Sequence, residues 1–131
     1  MSSQSFPAWP TSVPHARSYV TGLLDRVPPG ICQTAGLLVS ELATNVVRHT
    51  DSATFVVDVE DLVGDGLLRI GVTDTGTDLP VLRTPGPTAE RGRGIQLVSV
   101  LADRWGARRA RGGTEKTVWF ELRYAPQPAA G

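Results

Sequence analysis

The sequence predicts a single α/β domain. Three patterns carry that reading: two apolar stripes at helical spacing, two short segments of alternating polarity, and a C-terminal pair of apolar runs around a glycine turn. At 131 residues the chain fits one domain, residues 1–124, with a proline- and alanine-rich tail at 125–131 that is expected to be disordered. Thirteen basic and thirteen acidic residues cancel, so the balance gives no reason to expect nucleic acid or an anionic membrane as the main partner. Twelve of the thirteen basic residues are arginine.

The elements follow in chain order. Thr11 and Ser12 with Pro14 form a helix start, a hydroxyl cap followed by proline in the first turn, and a helix is expected over 11–27. Ala16, Val20, Leu23, Leu24 and Val27 form its buried stripe, and Pro28-Pro29-Gly30 ends it. A second helix is expected over 31–49, with Ile31, Ala35, Leu38, Leu42 and Val46 facing inward. At about 100° per residue, Asn45 lies about 60° from Leu42 and Glu41 about 100°, so both sit on the border of the stripe.

Two strands follow, 54–60 with Phe55, Val57 and Val59 on one face, and 67–73 with Leu68, Ile70 and Val72 on one face. One further step of two places Asp74 at the end of that second apolar face. Residues 75–93 show no periodicity and hold three prolines, which reads as a long lid-like loop. Gly94 leads into a third helix carrying Ile95, Val98, Leu101 and Ala102, and a hairpin of 104–110 with 116–124 closes the chain.

Cys32 is the sole cysteine, so no intrachain disulfide is expected and a reducing compartment fits. No segment approaches the roughly 18 apolar residues of a membrane span, and residues 1–9 lack a basic stretch followed by an apolar one. The expectation is a soluble, cytoplasmic protein.

Three constellations carry chemistry. Glu41 and Asn45 stand one helical turn apart, a carboxylate suited to taking a proton from an attacking hydroxyl beside an amide oxygen suited to magnesium. The same pair also fits ordinary polar residues at a core edge. Asp74 with Gly76 offers an acceptor for the exocyclic amine of adenine and close backbone approach, or equally an aspartate bonded to its own loop amides. Arg91-Gly92-Arg93-Gly94 puts amide donors and guanidinium groups at a helix N-terminus, which suits phosphate oxygens; a flexible basic loop has the same composition. Thr117 adds a hydroxyl able to meet ligand or magnesium-bound water. The arginines at 104, 108, 109 and 111 fit a solvated face or a protein-partner surface.

Taken in order, Ser40 to His49, Asp74-Thr-Gly76, Gly92 to Val98, Leu101 to Gly106 and Lys116 to Phe120 resemble the boxes of the GHKL ATPase/kinase superfamily, to which histidine-kinase ATPase domains belong. The chain looks most like the stand-alone anti-sigma-factor serine/threonine kinases common in actinobacteria, over about residues 12–124. The resemblance implies a two-layer α/β (α+β) sandwich, a mixed, mainly antiparallel sheet backed by three helices, with ATP between the helices and a lid. It implies Glu41 as general base, Asn45 as magnesium ligand, Asp74 and Gly76 at adenine, Gly92 and Gly94 at the phosphates, Thr117 in the final strand, and weaker roles for Arg93 and His49. One departure stands in the adenine box, where Thr77-Asp78 follows Gly76 in place of a second glycine.

The implied function is that of an ATP- and magnesium-dependent regulator. It would bind a sigma factor, phosphorylate serine or threonine of a small antagonist of the STAS type, and pair as a homodimer. A partner-sequestering module with little or no kinase activity is the second reading.

Overall fold

The structure is a computed structural model. It describes residues 1–75, 93–110 and 113–124, and for residues 63 and 93–96 the backbone path alone. In chain order the elements are β1 (Ser2–Pro7), α1 (Ser12–Gly22), α2 (Pro29–His49), β2 (Thr54–Leu62), a short 3-10 turn (Val63–Asp65), β3 (Leu67–Asp74), α3 (Arg93–Leu101), β4 (Arg104–Arg109) and β5 (Lys116–Arg123). The five strands form one sheet in the order β1-β2-β3-β5-β4. Three helices cover one face of it, which is the expected two-layer α+β sandwich. Every pairing described is antiparallel, so the mixed component of the expected sheet is not seen among these strands.

Strand periodicity decides what each face holds. The inner face collects Phe55, Val57, Val59, Leu68, Ile70, Val72, Val118, Phe120 and Leu122, all buried against Leu38, Val39, Leu42 and Val46 of α2 and Ala16 and Val20 of α1. Removing each of these large side chains from water contributes on the order of 2 kcal/mol. Gly36 lets α1 lie close to α2, since a Cβ there would meet Thr21 Cγ2 at 3.0 Å. Phe6 extends this layer, stacking on Phe55 with ring centroids 5.4 Å apart.

Three differences from the sequence reading have physical causes. β1 has no counterpart in it, because the strand sits at the sheet edge and buries only Phe6, so it shows no alternation to detect. Helix α1 stops at Gly22 and not at 27. Glycine weakens the helix there, and three-residue turns follow, with amides of Leu23, Leu24 and Val27 donating to carbonyls of Val20, Thr21 and Leu24. Leu24 and Val27 still reach the core by that spacing, while Leu23 is exposed. Thr11 gives no side-chain cap to α1; amides of Ser12 and Val13 bond instead to carbonyls of Trp9 and Pro10. Gly66, at φ 60°, makes the turn into β3, a conformation that glycine adopts without strain.

Candidate functional site

Helix α2 holds Glu41 and Asn45 as expected. Ala35, Leu38, Leu42 and Val46 are buried along one side, and Glu41 and Asn45 are half-buried beside them. Neither forms a hydrogen bond or ion pair with another described residue. Their neighbours Ser40 and Thr44 bond back to the helix instead, donating to carbonyls of Gly36 at 2.9 Å and Ser40 at 2.7 Å. Among the described residues nothing engages the carboxylate or the carboxamide at the rim of the core. His49 is exposed at the last residue of α2, where with Arg48 it lies at the helix's negative end.

Asp74 ends β3 on the inner face, only 4% exposed. Antiparallel register sets it between Phe55 of β2 and Lys116 of β5. Lys116 is equally buried, and its Nζ stands 4.0 Å from Asp74 Oδ1. Ser52 fixes the chain just beyond: the amide of Thr75 donates to Ser52 Oγ at 3.0 Å, while that hydroxyl donates to the carbonyl of Thr54 at 2.5 Å. The end of β3 is thus tied to the start of β2.

Thr117 is placed differently from the sequence expectation. Adjacent strand residues point to opposite faces, so with Lys116 inward Thr117 points outward, and its hydroxyl meets that of Thr73 at 2.7 Å. It does not share a face with Asp74; Lys116 does. Arg93 and Gly94 fall in the first turn of α3, consistent with a helix start at that point. Gly76, Gly92 and the rest of the lid lie outside the described residues, so the expected contacts of those glycines with base and phosphate have no described counterpart.

Two contributors escaped the sequence reading. Lys116 was legible, because counting back in twos from Leu122, Phe120 and Val118 reaches it. Ser52 was not, since its role depends on two chain segments meeting. The outer face carries a different kind of polar cluster: Glu121, only 2% exposed, accepts from Arg69 Nε at 2.7 Å and has Arg104 at 3.7 Å. Beside it lies an open recess of about 540 Å³ bordered by Arg69, Gly71, Arg108, Thr117 and Trp119. Among the described residues no group of three or more His, Cys, Asp or Glu is placed to hold a metal ion.

An antiparallel sheet under three helices, with a carboxylate–amide pair on the central helix and a buried aspartate ending a central strand, defines a two-layer α+β domain. The family comparison agrees: residues 6–122 match the histidine kinase-like ATPase domain, and the chain belongs to that family, within the GHKL superfamily. Two solved structures from Erythrobacter litoralis share the fold. One is the histidine kinase domain of a blue-light activated histidine kinase, at 26% identity and a TM-score of 0.51, covering 90% of this chain and 61% of that one. The other is the blue-light activated histidine kinase itself, at 26% identity and a TM-score of 0.52, covering 95% and 44% respectively. An uncharacterized protein of Streptomyces coelicolor is 37% identical over 70 residues, 51% of this chain and 66% of that protein. The chain thus spans about half to two thirds of the length of these relatives. No helix among the described residues is long and apolar enough to cross a membrane.

Proposed function

We propose that this chain is an ATP- and magnesium-dependent protein serine/threonine kinase of the anti-sigma type. It binds a sigma factor in one state and phosphorylates a serine or threonine of a STAS-type antagonist in the other, working as a cytoplasmic homodimer without direct contact to nucleic acid or membrane. The observation that carries the kinase reading is the half-buried Glu41–Asn45 pair, one turn apart on α2 and without partners among the described residues. The donor set suits magnesium, which favours oxygen ligands and keeps several waters: Asn45 would supply an amide oxygen, phosphates and water the rest. Bound there, the ion would neutralise charge on the phosphates during transfer.

The remaining steps fall to this chain's own side chains. Asp74 accepts a hydrogen bond from the 6-amino group of adenine and so orients the nucleotide. Glu41 holds the acceptor hydroxyl and takes its proton as the oxygen bonds to the γ-phosphorus. The bond from that phosphorus to the β–γ bridging oxygen breaks, and ADP leaves with the displaced electron pair. Arg93 and Gly94, opening α3, stand where a helix N-terminus favours phosphate oxygens.

The test is transfer of radiolabelled phosphate from ATP to the antagonist that copurifies with this chain. Transfer is expected, and Glu41→Ala is expected to reduce it by about 10²-fold or more, the contribution of a positioned general base. ATP binding without transfer to any copurified partner would refute the kinase step and leave the sequestering reading.

A further inference from the structure

Antiparallel register orders the outer face of the sheet, opposite the helices, into rows that run across the strands. One row reads Glu60, Arg69, Glu121, Arg104, and the next reads Asp58, Gly71, Trp119, Gly106. A third carries Thr73, Thr117 and Arg108. The middle of the first row is closed, since Arg69 and Arg104 both turn to Glu121. Its flanks are open. The half-buried Glu60 on β2 makes no side-chain hydrogen bond or ion pair with another described residue, and neither does Arg108 on β4. The face is therefore polarised, with an unspent carboxylate on one side and an unspent guanidinium on the other.

Between them the face is hollow, and the two glycines of the second row explain why. The indole of Trp119 lies over Gly106, where a Cβ would meet its Cζ2, Cε2 and Nε1 atoms at 2.8, 2.9 and 3.0 Å. A Cβ on Gly71 would approach Trp119 only at Cβ, 3.9 Å away. The space above Gly71 is left to a recess of about 540 Å³, which reaches both Glu60 and Arg108. That volume falls within the roughly 300–1,000 Å³ of small-molecule sites.

We propose that this recess is a second ligand site, for a small zwitterion of about dipeptide length. Its ammonium end pairs with Glu60, its carboxylate end with Arg108 and the indole N–H of Trp119, and its middle lies over Gly71. An anion alone would lie before the carboxylates of Glu60 and Asp58, and a cation alone before Arg108; only a ligand carrying both signs is satisfied at both ends. Asp58 already accepts from Ser3 at one oxygen, so Glu60 is the freer acceptor. The indole N–H bonds to no described residue and is left to the ligand. Strands β2 and β4 stand three steps apart in the sheet, about 14 Å at the usual spacing. Glutamate and arginine reach inward from the two sides, which leaves a span suited to two residues, roughly 7 Å when extended. The site lies across the sheet from Asp74 and does not depend on the nucleotide reading.

The probe is L-alanyl-L-alanine, titrated into the ¹⁵N-labelled chain by NMR beside its N-acetyl derivative, which lacks the ammonium, and its C-terminal amide, which lacks the carboxylate. The dipeptide is expected to shift the Trp119 indole N–H, assigned by its absence in Trp119→Phe, and the Gly71 amide, both saturably. Each blocked derivative should bind about threefold more weakly or worse, the range of an ion pair that stays partly exposed. Glu60→Gln should abolish the preference for the free dipeptide over the N-acetyl form, and Arg108→Gln its preference over the amide. No saturable shift, or saturable shifts that bypass Trp119 and Gly71, would overturn the site. Equal binding of all three ligands, or a loss from blocking one end alone, would overturn its zwitterion specificity. Unchanged preferences in both variants would remove Glu60 and Arg108 from it. The comparison of the three ligands on the unmodified chain needs no variant to fold.

Discussion

The two faces of the sheet each bury one carboxylate beside a cation, and they do it differently. On the outer face Glu121 is gripped by Arg69, Nε donating at 2.7 Å, with Arg104 at 3.7 Å and its guanidinium carbon 6.0 Å from the Trp119 ring. On the inner face Asp74 and Lys116 stand 4.0 Å apart. The outer pair is within direct hydrogen-bond distance and the inner one is not. Under the proposed function the inner carboxylate serves nucleotide recognition, while the outer cluster keeps Glu121 paired within the sheet.

The largest effect that would break this contrast is on the outer side. Arg69→Ala leaves Glu121 buried with only the more distant Arg104, and stability should fall by on the order of 3 kcal/mol, read from the urea midpoint. ATP affinity of the remaining folded protein should change by no more than about twofold. A large affinity loss with little loss of stability would reverse the roles of the two faces. Gly106→Ala should come next. Its Cβ would meet Trp119 Cζ2 at 2.8 Å, and displacing the indole should cost about 1–3 kcal/mol as overpacking, again without effect on nucleotide.

On the inner side the order inverts. Ser52→Ala removes a hydroxyl that accepts from the Thr75 amide and donates to the Thr54 carbonyl, and should cost about 1 kcal/mol of stability. Its effect on ATP affinity should be proportionately larger than that of either outer variant, because the end of β3 that carries Asp74 loses its tie to β2. Equal or smaller loss of affinity than in Arg69→Ala would show that the strand end does not position the base.

How much of this was readable before any coordinates follows the same division. Residues whose role comes from periodicity were legible: Glu41 and Asn45 at the border of a helix stripe, Asp74 at the end of an alternating strand, and Leu68, Ile70 and Val72 in the core. Lys116 obeys the same count of two, but its place beside Asp74 depends on the register between β3 and β5. Glu121 and Ser52 were not legible. A glutamate in the run Trp119-Phe120-Glu121-Leu122 reads as solvent-facing, and only the sheet order that sets β3 and β4 on either side of β5 supplies Arg69 and Arg104. β1 was hidden for a similar reason, since an edge strand that buries one side chain carries almost no pattern.

The smallest expected effect concerns the far end of the inner face, where a third carboxylate, Asp61, accepts a hydrogen bond from a tyrosine. Tyr124 donates to Asp61 Oδ1 at 2.8 Å, and burial, then this bond and the aspartate's charge, push the phenol up from its ordinary value of 10.0 to about 12. Because the folded form keeps its proton longer than the unfolded one, the contribution is complete below pH 10 and is lost as pH rises toward about 12. Tyr124→Phe should flatten stability over that window and cost about 1 kcal/mol at neutral pH, with ATP affinity unchanged. A flat profile in the unmodified chain would show that Asp61 does not hold the phenol. A change in ATP affinity would mean that the two ends of the inner face are coupled.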